Sequence, residues 1–246
     1  MTSKRSLASI LVAVMIAAAA AWLNLDPTGA PAPEIGEPQS TGKVLRPDSG
    51  DRRAKSDVNF DHYILALSWS PSWCAENDPS ARTAQCDRDN DHGFIVHGLW
   101  PQATGIELAY CPTREPERVP DSLVRSYLDI IPSAGLAGHE WRKHGSCSGL
   151  DQKSYFAMLR AAYEATTIPE SMKMVRNRMT LSAAEIETRM LAANPGLAAD
   201  GVIVTCAGGQ LSEIRICLDK QLGFGSCPDM ERQACRARNV AIPPIP

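Results

Sequence analysis

The sequence predicts an α+β domain in which helices pack against a central, mainly antiparallel sheet that is stapled by disulfides. Short apolar runs of strand length are mixed with longer amphipathic segments, without the regular alternation that is typical of a parallel α/β sheet. Two of the runs are joined by residues 207–210, Ala-Gly-Gly-Gln, whose glycines suit a hairpin turn. The eight cysteines are even in number and follow an export segment, which is typical of a disulfide framework.

The first 25 residues have the pattern of an export segment. Lys4 and Arg5 precede an apolar stretch that carries no charge before Asp26, as in a secretory signal. Residues 7–25 are also long enough for a marginal membrane span. For residues 1–25, a cleaved signal peptide is the favoured interpretation and an uncleaved membrane anchor is the alternative. Both predict export, to the periplasm or to the cell exterior.

The next segment, residues 26–57, is rich in proline, glycine and charge and has few large apolar side chains. Such a segment cannot bury enough surface to fold. We expect a disordered linker there, which would serve either as a membrane tether or as a tail of the mature protein. The folded, catalytic domain is expected over residues 58–246.

Strands and helices within this domain are predicted from apolar periodicity. Phe94, Ile95 and Val96 lie between two glycines, which is typical of a buried strand. Ser182 and Glu185 occupy capping-box positions at the start of a helix. The predicted strands are residues 62–70, 93–101, 201–206 and 213–218, and the predicted helices are residues 121–131, 151–168 and 182–194.

Composition and cysteine spacing limit the classes of function. The 246 residues carry a net charge of −3, which argues against a protein that holds nucleic acid along a broad basic face. A polyanion would have to be held at a local site. No cysteines have the CxxC spacing of a zinc site. The sequence alone leaves the disulfide pairing open, apart from a nested arrangement suggested by Cys217 and Cys227, which lie between Cys206 and Cys235.

Residues 139–144, His-Glu-Trp-Arg-Lys-His, concentrate titratable side chains in one short segment. If the segment is helical, His139, Glu140, Lys143 and His144 share an arc of about 140°. One helical face would then present two imidazoles, a carboxylate and an ammonium. The tryptophan lies off this arc and is free to anchor the helix in the core.

A metal site, an acid/base site and a charged surface helix are the alternatives for this segment. Helical zinc sites place histidines at i and i+4, whereas these histidines are at i and i+5, and Lys143 occupies the i+4 position. An acid/base site fits better, because imidazoles exchange protons near neutrality and an ammonium stabilises a developing anion. The segment alone does not decide between an acid/base site and a surface helix.

A second segment with a histidine is residues 94–102, Phe-Ile-Val-His-Gly-Leu-Trp-Pro-Gln, in which His97 follows an apolar run. A lone histidine there is more often structural than catalytic. With residues 139–144 in the same chain, however, two imidazoles facing one phosphodiester become the favoured interpretation. One would remove the proton of a ribose 2′-hydroxyl, and the other would protonate the leaving 5′-oxygen. Each role contributes a rate factor on the order of 10²–10⁴ and needs no metal.

Residues 94–102 and 139–147 resemble the two active-site segments of the ribonuclease T2 family, the secreted acid ribonucleases, and residues 63–74 resemble the first strand of that family. The likeness extends over about residues 60–235 in element order and cysteine placement. It implies an endoribonuclease of low base specificity that acts on single-stranded or flexible RNA. The implied product is a 2′,3′-cyclic phosphate that is later opened to a 3′-phosphate. The resemblance implies no metal and no cofactor.

The resemblance also implies roles for single residues. His144 would be the base and His97 the acid of the first step, and Glu140 would support the transition state. His139 and Lys143 would contact the phosphate. The implied disulfides are Cys74–Cys86, Cys111–Cys147, Cys206–Cys235 and Cys217–Cys227.

The base-binding region is less well defined by the resemblance. Trp100 would stack on or border the substrate base. Gln102 stands where some family members have an aspartate that recognises a base, and a neutral amide both donates and accepts hydrogen bonds, so no base preference is carried over. Tyr110 could line a base site, but a core position is favoured. His62 and His92 match no catalytic position.

We therefore expect an exported, metal-independent endoribonuclease that is monomeric and has no obligate protein partner, with a membrane tether through the N-terminal segment as one form of export. A catalytically weak family member that binds RNA or regulates another process is the first alternative. A metal-dependent hydrolase is the second, and insensitivity to chelators would eliminate it.

Overall fold

The computed structural model describes the backbone of residues 43–45 and the whole of residues 58–246. The predicted signal or anchor, and residues 26–57 apart from 43–45, lie outside the described residues. In chain order the strands are β1 Lys43–Leu45, β2 His62–Trp69, β3 Phe94–Gln102, β4 Ile106–Leu108, β5 Met179–Leu181, β6 Val202–Ala207, β7 Gln210–Leu218 and β8 Val240–Ile242. The helices are α1 Ser70–Asn77, α2 Asp121–Arg125, α3 Ala134–Lys143, α4 Gln152–Glu164, α5 Glu170–Lys173 and α6 Ala183–Ala193.

A six-stranded sheet forms the centre of the described chain. Its strand order is β3-β2-β7-β8-β5, and β6 pairs with β7. Strand β2 runs antiparallel to both β3 and β7, and β6 and β7 form an antiparallel hairpin. A single register pair joins β7 and β8 in parallel. The predicted α+β class and its mainly antiparallel sheet are confirmed.

Strand β1 lies inside the segment that is predicted to be a disordered linker. Its three residues pair in parallel with β4, from Lys43 opposite Ile106 to Leu45 opposite Leu108. Val44 and Leu45 are among the few large apolar residues of that segment, and such residues suit an added strand.

The two faces of the central sheet contribute to different clusters. Alternate residues of a strand point to opposite faces, so Leu65 and Leu67 of β2 join the large core under the helices, whereas Ile64 and Ala66 join a smaller cluster. Trp100 belongs to this smaller cluster. The site described below therefore lies on the face of the sheet away from the large core.

Two predicted helices extend beyond the observed ones. The predicted helix 121–131 is helical only over Asp121–Arg125 and continues as turns. In these turns the N–H groups of Ile130 and Ile131 both bond to the Tyr127 carbonyl, and the Ile130 carbonyl accepts the backbone N–H of Val96 at 2.8 Å. Helix α4 ends at Glu164 rather than at residue 168. The capping box at Ser182 and Glu185 is confirmed.

Four disulfides staple the domain. The bridge Cys111–Cys147 ties the segment after β4 to the short 3₁₀ turn after α3, and Cys206–Cys235 joins β6 to the C-terminal segment. The four pairs are Cys74–Cys86, Cys111–Cys147, Cys206–Cys235 and Cys217–Cys227. These are the pairs that the resemblance implies. No helix within the described part of the chain is long and apolar enough to cross a membrane.

Candidate active site

His97 reaches the site because β3 contains a β-bulge. Gly98 lies opposite Ala66 and Val96 lies opposite Leu67, so His97 is an extra residue without a partner on β2. An extra residue in one strand re-aims the side chains around it. Val96 stays in the large core, while His97 turns towards the opposite face, where its ring meets Trp100 edge-on at 5.3 Å between ring centres.

Helix α3 brings Glu140 and His144 to the same place. Ser133 caps the helix, because its hydroxyl accepts the N–H of Leu136 at 3.2 Å. Trp141 is fully buried in the large core and fixes the rotation of the helix about its axis. Glu140 and the C-capping His144 then face Trp100. The predicted helical placement of this segment is confirmed over Ala134–Lys143.

Trp100 is the centre of the cluster. Its indole N–H donates a hydrogen bond to Glu140 Oε2 at 2.8 Å. The His144 ring stacks on the indole with ring centres 5.1 Å apart and an angle of 28°. Trp100 is only 5% exposed, so little of its ring is free for a substrate base to stack on.

Space for this arrangement depends on Gly98. A Cβ atom at this position would lie 1.9 Å from Glu140 Oε2 and 2.4 Å from the Trp100 indole nitrogen. Any other residue would therefore push the carboxylate and the indole apart. The glycine is required by close contact, since its φ is not among the positive values.

Glu140 and His97 form a partly buried ion pair. Glu140 Oε1 lies 3.5 Å from His97 Nε2, and the carboxylate is fully buried whereas the His97 side chain is 29% exposed. Burial raises the pKa of Glu140 to about 7, although His97 and the Trp100 N–H oppose the rise. The Glu140 carboxyl is thus poised to change its charge near neutrality.

The two histidines have opposite pKa shifts. Burial lowers the pKa of His97, but attraction to Glu213 and Glu140 outweighs burial and raises it to about 9. Burial, together with the positive charge of Lys143, lowers the pKa of His144 well below 6.5. At neutral pH the site therefore holds one imidazolium, His97, and one neutral imidazole, His144.

Glu213 and Arg215 belong to the site, although the sequence analysis did not select them. Glu213 Oε1 contacts His97 Nδ1, and Glu213 Oε2 lies 2.7 Å from Arg215. The Arg215 guanidinium also lies over the Trp100 ring, 4.9 Å from its centre. The two residues lie on the same face of β7, but 116 residues separate Glu213 from His97, and no local pattern links the two positions.

His139 and Lys143 lie on the same helix as Glu140, and both are partly exposed. Electrostatic interactions with Lys143 and His139 contribute to the lowered pKa of His144. The structure therefore places both predicted phosphate-contacting residues within electrostatic range of the buried His144.

The predicted base-binding residues lie at the border of the site. Gln102 is partly exposed at the end of β3, and its backbone carbonyl accepts the Asp61 N–H at 2.7 Å. Tyr110 is 56% exposed, so the expected core position is wrong. Its backbone has a φ of +53° and its N–H donates to the Lys143 carbonyl at 2.8 Å, which fixes it beside the end of α3 and turns the ring outward.

The arrangement has the parts of an acid/base site. It holds a neutral imidazole, an imidazolium and a carboxyl around one indole, with Lys143 and His139 on the helix that carries the carboxyl. Within residues 58–246, no group of three His, Cys, Asp or Glu side chains is placed to hold a metal ion.

Comparison with known proteins identifies the family. The model of the ribonuclease T2 family matches residues 60–227. A probable ribonuclease of Haemophilus influenzae is 34% identical over 148 residues, covering 55% of this chain and 53% of the relative. A ribonuclease of Aeromonas hydrophila is 40% identical over 116 residues, covering 46% and 51%. The match thus spans about half the length of these two curated relatives.

A solved structure has a similar fold. A solved structure of an RNase-related protein from Calystegia sepium superimposes with a TM-score of 0.63 at 23% identity, covering 76% of this chain and 99% of that one. The family match includes both segments that carry the site, β3 and α3. The chain belongs to the ribonuclease T2 family.

Proposed function

We propose that the chain is an exported endoribonuclease that cleaves RNA by transphosphorylation, with His144 as base and His97 as acid, and without a metal ion. The observation that carries this proposal is the meeting of two imidazoles with opposite pKa shifts around one buried carboxyl. Acid/base cleavage of a phosphodiester needs one partner to take a proton while the other gives one.

His144 suits the role of base in the first step. Its low pKa keeps the imidazole neutral, so that a lone pair is free at neutral pH. Its Nδ1 is buried without a hydrogen-bond partner, which leaves Nε2 to take the proton from the ribose 2′-hydroxyl. The 2′-oxygen then attacks phosphorus and forms the new P–O bond of a 2′,3′-cyclic phosphate.

His97 suits the role of acid in the same step. Its raised pKa keeps it protonated at neutral pH, and its side chain is exposed enough for a substrate to reach. It gives its proton to the 5′-oxygen as the P–O5′ bond breaks. In the second step the roles reverse: His97 takes a proton from water, the hydroxide opens the ring, and His144 returns a proton to the 2′-oxygen. The product then ends in a 3′-phosphate.

Three further side chains suit the charged transition state. Lys143 and His139 lie on the helix that carries the base and add positive charge where the phosphate oxygens gain negative charge. Glu140 lies between the acid and Trp100, with its Oε1 towards His97. We assign Lys143 and His139 to phosphate binding and Glu140 to stabilisation of the transition state.

The substrate is single-stranded or flexible RNA, because the 2′-oxygen must align opposite the leaving oxygen and a regular duplex resists that alignment. Low base specificity fits the residues that border the site. The Gln102 amide both donates and accepts hydrogen bonds, and the exposed Tyr110 ring offers a face on which any base can stack. The four disulfides fit an oxidising compartment.

The test is digestion of a mixed-sequence RNA by the chain folded with its disulfides, with and without EDTA. The wild type is compared with His97→Ala and His144→Ala, and the product ends are analysed. We expect cyclic phosphate and 3′-phosphate ends that persist in EDTA, and a loss on the order of 10²–10⁴-fold in either variant.

Three outcomes would contradict parts of the proposal. If EDTA alone stops cleavage, the metal-independent mechanism is wrong. If a variant retains full activity, its histidine is not part of the acid/base pair. If the folded wild type leaves RNA intact, the chain is a family member that acts through binding, and its affinity for the RNA becomes the measurement.

A further inference from the structure

Glu213 is a buried carboxylate in contact with the proposed acid, and the mechanism above gives it no role. We propose that Glu213 is a positioning residue: it holds His97 through Nδ1, so that Nε2 is the nitrogen that gives the proton to the leaving oxygen, and Arg215 fixes Glu213 in place. This inference rests on the proposed function, because it names the partner that makes His97 an acid.

The contacts determine which nitrogen of His97 is available. Nδ1 contacts Glu213 Oε1, while Nε2 faces Glu140 Oε1 at 3.5 Å, a longer and weaker contact. A hydrogen bond made by one ring nitrogen sets the role of the other. The short contact therefore engages Nδ1 and leaves Nε2 as the nitrogen that can turn to a substrate.

Arg215 holds the carboxylate from its other side. Its Nε donates to Glu213 Oε2 at 2.8 Å, and a terminal nitrogen lies 2.7 Å from the same oxygen. The guanidinium also rests on the Trp100 ring and donates to Gln233 Oε1. Both side chains are mostly covered, with 7% and 15% exposure for Glu213 and Arg215, so that the pair has little freedom to rotate.

The backbone supports the same assignment. Glu213 and Arg215 are two residues apart on β7 and so point to the same face. Val96 and Leu99 both lie in the large core although they are three residues apart, and the extra residue in β3 makes this possible, so that His97 and Gly98 share the opposite face. The bulge thus lets the His97 imidazole face β7, where Glu213 contacts its Nδ1.

The titratable groups around His97 come from β7 and from α3 with its C-cap. Glu213 and Arg215 lie on β7, Glu140 lies on α3, and His144 follows α3. The two carboxylates favour imidazolium, whereas Arg215 opposes it. Removing the charge of Glu213 leaves Glu140 as the one carboxylate among these groups, and the acid should then lose its proton at a lower pH.

Two variants separate the hydrogen bond to His97 Nδ1 from the negative charge of Glu213. Glu213→Gln keeps an oxygen that can accept from Nδ1 but loses the charge, and Glu213→Ala loses both. We expect the alkaline limb of the kcat/KM profile on a dinucleotide to move to lower pH by about one unit or more in Glu213→Gln. Glu213→Ala should lose about 10- to 100-fold across the profile, by analogy with carboxylates that orient histidine ligands.

The choice of substrate distinguishes positioning of an acid from a general structural role. A nucleoside 3′-(4-nitrophenyl phosphate) releases a stable anion and needs no acid. Both variants should therefore cleave this ester within about threefold of the wild type at pH 8, while they lose activity on the dinucleotide. Glu187→Gln is the control: it removes another partly buried carboxylate, which accepts the Val204 N–H on the neighbouring strand, and it should leave the profile on both substrates unchanged.

Titration of the His97 imidazole by NMR, in the absence of substrate, makes the test independent of RNA cleavage. The pKa of His97 should fall in Glu213→Gln and stay unchanged in Glu187→Gln. An unchanged His97 pKa in Glu213→Gln overturns the inference, even if the wild type does not cleave RNA and the proposed function fails. Equal losses on both substrates in the two Glu213 variants would also overturn it, in favour of a role in folding alone.

Discussion

The contact between Glu140 and Trp100 depends on the absence of a side chain at Gly98. The Glu140 carboxylate and the Trp100 indole meet in the space that a side chain at position 98 would fill. The contact also orients Glu140 towards His97. Gly145 has a similar role, since a Cβ atom there would lie 2.5 Å from the Trp141 ring. The two glycines therefore position groups that they do not themselves supply.

Gly98→Ala is expected to inactivate the protein while leaving it folded. The methyl group cannot share the space with Glu140 Oε2 at 1.9 Å, so the carboxylate must move, and we expect RNA cleavage to fall by at least about 100-fold and the free energy of unfolding by about 1–3 kcal/mol. Gly135→Ala is the control, because its nearest neighbour outside its own helix backbone is 3.5 Å away. Equal activity of the two variants would show that the tight contact is unimportant.

Glu140 is expected to reduce stability at the pH where it works. Its pKa in the folded protein, about 7, lies above its ordinary value of 4.5. The folded state therefore holds the proton more tightly than the unfolded state. This contribution to stability is complete below pH 4.5 and is lost as the pH rises through 7.

Glu140→Gln should avoid the loss of stability that ionisation of Glu140 causes, because the amide stays neutral and can still accept a hydrogen bond from the Trp100 N–H. In urea unfolding, the variant should gain stability relative to the wild type between pH 4.5 and 7, by up to about 3 kcal/mol, and the gain should be constant above that range. RNA cleavage should be lost. A stability difference that does not depend on pH would contradict the raised pKa.

The sequence identifies site residues that lie close together on one element, but not those whose partners lie on other elements. The residues on β3 and α3 lie in two short segments that resemble known active-site segments, and the helical arc of α3 could be read from spacing. Glu213 and Arg215 look like ordinary polar positions of a strand, because their partners lie on other elements. Strands β5 and β8 have three residues each, too few for periodicity to reveal.

The disulfide Cys111–Cys147 links the segment after β4 to the turn after α3. Cys147 lies three residues after His144, and the N–H of Tyr110, next to Cys111, donates to the Lys143 carbonyl. The bridge closes a span of 36 residues and should contribute about 3–4 kcal/mol to stability. It should also hold the end of α3 at the distance that the His144 ring needs in order to stack on Trp100.

Replacing both cysteines of this bridge by alanine should therefore lower kcat/KM on RNA at least about tenfold, at a temperature where the protein is still folded. The control is the double alanine variant of Cys74 and Cys86, which closes 12 residues beside α1. It should lose a comparable amount of stability, about 3 kcal/mol, with activity within about twofold. Equal losses of activity in both variants would mean that the bridge acts through stability alone.

For the whole molecule, the sequence predicts the fold class and the two segments of the site, but not how tertiary contacts set charge. The chain is acidic overall at −3, yet one face of its sheet collects His97, Lys143 and Arg215 against two buried carboxylates. The burial of a charged side chain has no signature in a local pattern. The pKa values of about 9 and about 7 follow from three elements meeting, and these could be read only from the structure.

The pH profile of kcat/KM reports on this assembly. Activity should rise on the acid side as His144 loses its proton, at a pH well below 6.5, and should fall on the alkaline side as His97 loses its proton near pH 9. Between these limbs the free enzyme holds the neutral base and the protonated acid that cleavage needs. Glu140 gains its negative charge only near pH 7, and the neutral Glu140→Gln variant should be inactive. We therefore expect activity at pH 8 to be at least as high as that at pH 6. The measurement is initial rates on a dinucleotide from pH 4 to 10, with circular dichroism at each pH to confirm that the protein stays folded. An alkaline limb near pH 6.5 would mean that His97 titrates as a free imidazole, so that Glu213 and Glu140 do not support its charge in solution.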